Sequence, residues 1–148
     1  MPTYQITVKE NLLSDEQKDK IAEFITKTHC EITGAPNYYV QIIFHESNER
    51  RYVGGKLSDS QIWIYGDIRS GRPTEKRCLL INKFVEGVSK IASVSKTDVW
   101  VFLNNLEGSD ISEWGVILPE SGGESEWFNS LPKELQAKLT ALAKYNKG

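Results

Sequence analysis

Pro2 carries a nitrogen unlike the others in the backbone. A methionine followed by a small residue is a substrate for methionine aminopeptidase, and removal of Met1 leaves Pro2 with a free secondary amine. An α-amino group titrates near ~8, and burial or neighbouring cations pull it toward neutrality, where it can take or give a proton. Thr3-Tyr4-Gln5-Ile6-Thr7-Val8 alternates with period two, which predicts a strand that ties this terminus into a sheet instead of letting it fray. The competing reading of Met1-Pro2 is an efficiently trimmed end with no chemistry.

Three further groups have the right residue types for a site. Arg69 and Arg72 flank Ser70-Gly71 just after a predicted strand, and the glycine permits a tight turn that lets both guanidinium forks face one carboxylate. The alternative is a pair of solvated arginines at a helix start, which the helix dipole disfavours unless an anion is present. His29 falls four residues after Ile25 and eight after Ile21, on the apolar stripe of a predicted helix. It reads either as a site residue or as a core histidine donating to a backbone carbonyl. Glu113 lies beside Trp114, whose ring can desolvate the carboxyl and raise its pKa toward a value useful for activating water; the alternative is an ordinary surface glutamate.

The composition bounds what these groups can serve. With 148 residues the chain has room for one domain with a real core, here 1–148, built of two fused units at about 1–60 and 61–148. A net charge of −2 gives no electrostatic reason for a nucleic-acid or membrane-surface partner. The five arginines cluster in the middle third, which suggests a local anion site instead of a basic face. No signal peptide opens the chain and no apolar run approaches the ~20 residues of a membrane helix, so a soluble cytoplasmic protein is expected. Cys30 and Cys78 lack metal-site spacing and fall on predicted helices, which argues against a disulfide or a metal centre.

The elements that must position the site repeat. A helix opens with the cap signal Ser14-Asp15-Glu16-Gln17, runs to about Glu31 and stops at Gly34-Ala35-Pro36. Tyr39 to Phe44 predicts a well-buried strand, followed by a polar loop from about Glu46 to Ser60 containing Gly54-Gly55. A third strand covers Gln61 to Tyr65, Pro73-Thr74-Glu75 opens a second helix, and Asp98 to Leu103 is a fourth strand. Strand, helix and strand thus occur twice. Two βαβ units side by side give an α+β, two-layer fold: a four-stranded mixed sheet with two helices on one face, plus a C-terminal strand at Val116-Ile117-Leu118 and a helix from about Lys133. The uncovered face of such a sheet invites oligomerisation.

Met1-Pro2, the duplicated βαβ, Thr28-His29, Gly34-Ala35-Pro36 leading into Val40 to Phe44, Ile68 to Arg72, Val99-Trp100-Val101, Glu113, and Trp127 to Pro132 together resemble the tautomerase superfamily, and more narrowly its cis-3-chloroacrylic acid dehalogenase group. By that resemblance Pro2 matches the catalytic amino-terminal proline, His29, Arg69 and Arg72 match the substrate-carboxylate binders, and Glu113 matches the water-activating acid. The resemblance also implies a homotrimer, no metal and no organic cofactor. One position departs: Phe102 stands in the fourth strand where the dehalogenases place a tyrosine that assists the glutamate. Losing that hydroxyl removes a donor and an acceptor, a change that lowers rates by roughly 10²-fold when such a helper acts in proton transfer. The expected activity is cofactor-independent tautomerisation or hydration of small 2-oxo or unsaturated (acetylenic, haloacrylic) carboxylates. The rival expectation is a non-catalytic trimeric carboxylate-binding homologue.

Overall fold

A computed structural model describes residues 2–145. Its centre is a four-stranded sheet of β1 (Thr3–Lys9), β2 (Gln41–Ser47), β5 (Ile62–Arg69) and β6 (Val99–Leu106), in the order β2-β1-β5-β6. β1 pairs with β2 in parallel and β5 with β6 in parallel, while β1 and β5 meet antiparallel at the centre, so the two βαβ units lie head to tail. Helices α1 (Asp15–Thr33) and α2 (Thr74–Ala92) pack against each other and supply the helical side of the core.

Local chemistry sets these boundaries. Ser14 Oγ accepts from the Gln17 N–H at 3.1 Å and Gln17 Oε1 accepts from the Ser14 N–H at 2.9 Å, a reciprocal cap at the start of α1. At the other end Gly34 adopts φ +75° and its N–H closes on Cys30 O at 2.8 Å, a left-handed stop that favours glycine. Strict alternation buries Tyr4, Ile6 and Val8 of β1 and Ile62, Ile64 and Ile68 of β5 on the helical side. There they meet Ile21 and Ile25 of α1 and Leu80, Phe84 and Val88 of α2.

Gly66 has a specific task in this layer. It pairs with Tyr4, and a Cβ there would lie 2.5 Å from the Tyr4 ring and 3.0 Å from Leu103. Only a residue without a side chain lets the Tyr4 ring approach β5 this closely.

Several expectations shift. The Tyr39–Phe44 segment starts as a 3-10 turn at Asn37–Tyr39, and β2 is an edge strand whose Ile42, Ile43 and Phe44 are only half-buried. β5 and β6 run on to Arg69 and Leu106, beyond their expected ends at Tyr65 and Leu103. The polar loop folds into a small hairpin, β3 (Tyr52–Val53) and β4 (Lys56–Leu57), turning at Gly54-Gly55, both with positive φ. After β6 the chain forms a second hairpin, β7 (Ser112–Glu113) and β8 (Val116–Ile117), then helices α3 (Glu124–Ser130) and α4 (Lys133–Tyr145). Helix α3 has no counterpart in the elements expected from sequence. Leu118 and Tyr39 are the buried pair of a small second core with Tyr38, Ile111 and Trp127, and that core fastens the tail over the end of the sheet.

The opposite face of the sheet is open. Trp63 stacks edge-on with Tyr65 and with Phe102, at centroid separations of 5.9 and 5.7 Å, and Trp100 is also exposed there. Among the described residues no helix is long and apolar enough to cross a membrane.

Candidate active site

Strand register brings Pro2 to the end of the sheet where the arginines begin. Pro2 is buried, and its carbonyl accepts from the Gln41 N–H at 2.9 Å. Thr3 pairs with Asp67 of β5, so one step further along the antiparallel register Pro2 stands opposite Ile68, the neighbour of Arg69. The parallel register with β2 likewise sets Pro2 beside Val40, directly after Tyr39.

Arg69 is the last residue of β5 and only 5% exposed. Its Nη1 donates to Pro119 O at 3.0 Å and its Nη2 donates to the Glu124 carboxylate, so the tail supplies both partners. Its Nε is buried with no hydrogen-bond partner. Arg72 is half-buried and donates from Nη1 to Arg69 O, while Arg77 donates to Arg72 O, so the turn between β5 and α2 is laced by its own arginines. Burial, and then the like charge of Arg69, pulls the Arg72 pKa down. Arg69, Arg72, Thr33, Tyr39, Glu124 and Asn129 border a cavity of about 610 Å³. The sequence suggests two guanidinium forks turned on one ligand; in the structure Arg69 already holds an internal carboxylate and Arg72 does not.

His29 lies fully buried on α1, with Nδ1 2.7 Å from the Tyr4 hydroxyl and the two rings edge to face. Its partner is thus a phenol, not the backbone carbonyl expected of a core histidine. Burial, reinforced by the Arg72 charge, pushes the imidazole down to about 3, so it is neutral at cellular pH. Burial also raises the Tyr4 phenol, which therefore keeps its proton. A protonated phenol donating to Nδ1 puts the ring proton on Nε2, and Nε2 is buried without a partner. His29 O accepts from Thr33 Oγ1 at 2.7 Å, which links this layer to a residue of the arginine cavity.

Glu113 sits in the β7/β8 hairpin, whose turn residues Trp114 and Gly115 both have positive φ. It is half-buried and borders a second cavity of about 830 Å³ together with Thr3, Tyr38, Tyr39, Asp67 and Trp114. The Trp114 ring lies under the Lys138 ammonium, 5.2 Å from its centroid. Tyr38 and Tyr39, with centroids 4.4 Å apart, border both cavities and form the partition between the arginine side and the glutamate side. Residue order alone does not identify this pair as part of the site, nor Glu124, which lies 55 positions from the arginine it binds. Tyr4 carries a faint signal, an inward position two residues after Pro2.

One chain does not bring Phe102 to either cavity. It lies on the open face of the edge strand β6, 49% exposed, and borders a third cavity of about 310 Å³ with Arg51, Trp63 and Trp100. Among the described residues no group of three or more His, Cys, Asp or Glu side chains is placed to hold a metal ion.

The fold has known relatives. The family described as "Putative oxalocrotonate tautomerase enzyme" matches residues 1–130. The crystal structure of N1, a member of the cis-3-chloroacrylic acid dehalogenase family, superposes with a TM-score of 0.90 at 32% identity, covering 94% of this chain and 99% of that one. A symmetric trimer of a fused 4-OT (TM-score 0.73, 19% identity, 78% of this chain and 94% of that one) and Leishmania major MIF2 (0.65, 14%, 80% and 97%) share the fold. No curated protein sequence matches. With a family match over most of its length and near-complete structural overlap with N1, the chain belongs to the tautomerase superfamily, in its cis-3-chloroacrylic acid dehalogenase-like group.

Proposed function

We propose that this protein is a cofactor-independent tautomerase and hydratase of small 2-oxo or unsaturated carboxylates, with Pro2 as the proton-transferring group. The observation that supports this most is the strand register, which sets Pro2 opposite Ile68, the neighbour of Arg69, and beside Val40, a residue of the cavity that Glu113 borders. A substrate carboxylate on Arg72, with Arg69 and neutral His29 behind it, presents its reactive carbons toward the Pro2 nitrogen. A neutral amine takes a proton from one atom of the conjugated acid, an enol hydroxyl or a carbon, and returns it to a carbon elsewhere in the system as the double bond shifts: tautomerisation. A protonated amine delivers its proton to one carbon of an unsaturated acid while Glu113 removes a proton from water adding to the next: hydration. Nearby guanidinium charges favour the neutral amine and Glu113 favours the protonated one, so the balance between them selects the reaction.

The open aromatic face of the sheet supports assembly into a homotrimer, the state of the structurally similar fused 4-OT proteins. Nothing in the charge balance favours nucleic-acid or membrane partners.

A second reading, a carboxylate-binding homologue without turnover, draws on two observations: Glu124 already occupies Arg69, and Phe102 offers no hydroxyl. Ultraviolet absorbance separates the two readings. Enzyme confirmed by intact mass to lack Met1 is mixed with phenylenolpyruvate and with propiolate. Loss of enol absorbance or of the conjugated acid supports catalysis; saturable binding with no absorbance change supports the second reading.

A further inference from the structure

The arginine cavity contains its own carboxylate, and that fixes its charge. Arg69 is paired with Glu124, whereas among the described residues Arg72 has no carboxylate within ion-pair distance. The other side chains bordering the cavity, Thr33, Tyr38, Tyr39, Ser125, Phe128 and Asn129, are uncharged. Burial pushes the Glu124 carboxyl up, but the backbone N–H groups at the start of α3 and the Arg69 guanidinium outweigh it and hold the group below the usual carboxylate range. The pair therefore stays ionised at neutral pH, and the cavity presents one uncompensated cation.

We infer that Glu124 is a specificity-determining residue: by occupying Arg69 it leaves Arg72 alone to meet an incoming anion and so selects monocarboxylates over dicarboxylates. A monocarboxylate balances Arg72. The second carboxylate of a diacid finds no cation, faces Glu124 across a half-enclosed space and repels it. This inference rests on the reading of the cavity as a carboxylate site and names the class of acid that it takes.

Calorimetric titration of the full chain with propionate and with succinate, near neutral pH where both are ionised, tests it with ligands that cannot react. Propionate is expected to bind ~10-fold or more tightly than succinate. Glu124→Gln removes the charge and should bring the ratio close to one, while Glu124→Asp should keep the preference. Equal binding of the two acids by the unmodified protein overturns the inference, and so does an unchanged ratio in a Glu124→Gln protein with native circular dichroism. Should that variant not fold, Ser125→Glu, at an exposed position on the same cavity, decides: it should weaken propionate by ~10-fold, and unaltered affinity is contrary evidence. Failure of the unmodified protein to bind either acid refutes the carboxylate-site reading itself and takes the inference with it, a result distinct from binding without discrimination.

Discussion

The Tyr4 hydroxyl lies 2.7 Å from His29 Nδ1 in the centre of the protein, joining the strand that follows Pro2 to helix α1. The contact gives His29 one tautomer and one orientation. It also makes the histidine a liability in acid. Its folded pKa, about 3, lies below the ~6.5 of an exposed imidazole, so the unfolded chain binds the proton first. Stability is then fully present above ~6.5 and falls as pH drops toward 3, by a total on the order of 4 kcal/mol. Urea denaturation between pH 7 and 4 should show this slope, and His29→Gln should flatten it.

Tyr4 depends in turn on the bare backbone at Gly66. Gly66→Ala places a Cβ 2.5 Å from the Tyr4 ring, so the ring must move off His29 or the strands must part. We expect a loss of about 1–3 kcal/mol in thermal or urea unfolding, as for other overpacked cores. Retained stability together with an unshifted His29 proton resonance contradicts the packing described.

In the proposed mechanism Glu113 acts on water and not on the carbon acid. Glu113→Gln should therefore reduce hydration of propiolate by ~10²-fold and leave ketonisation of phenylenolpyruvate within a fewfold of its starting rate. Equal loss of both reactions places Glu113 in general substrate positioning.

Phe102 tests the departure from the dehalogenase pattern. Because the side chain is 49% exposed and meets Trp63 edge-on, Phe102→Tyr should leave the melting temperature nearly unchanged. If the neighbouring copy in a trimer presents this position to the site, the added hydroxyl should raise hydration by ~10-fold or more. An unchanged hydration rate removes position 102 from the reaction.

Much of the fold is legible in residue order because its signals are local. The Ser14/Gln17 cap, the Gly34 stop and Pro73 mark helix ends by groups within a few residues of one another, and the alternation of Tyr4, Ile6 and Val8 states which face is buried. What pairing decides is harder to read. Gly66 and Asp67 are poor strand formers, yet β5 passes through them because Tyr4 and Thr3 of β1 and Leu103 and Asn104 of β6 pair with them on both sides. Ile42-Ile43-Phe44 looks buried on both faces, but β2 has a neighbour on one side only. The site divides the same way. Pro2, His29, the arginine pair and Glu113 stand out by type and position, whereas Glu124 and the Tyr38–Tyr39 partition join the site only through tertiary packing by a tail that the sequence does not obviously fold over Arg69.

The central claim is that proton transfer belongs to the Pro2 amine. Its most direct test is the rate of phenylenolpyruvate ketonisation by Pro2→Ala protein against the unmodified enzyme, both confirmed by intact mass to have lost Met1. A fall of at least ~10²-fold with native circular dichroism retained is expected; a rate within threefold of the unmodified enzyme contradicts proton transfer by Pro2.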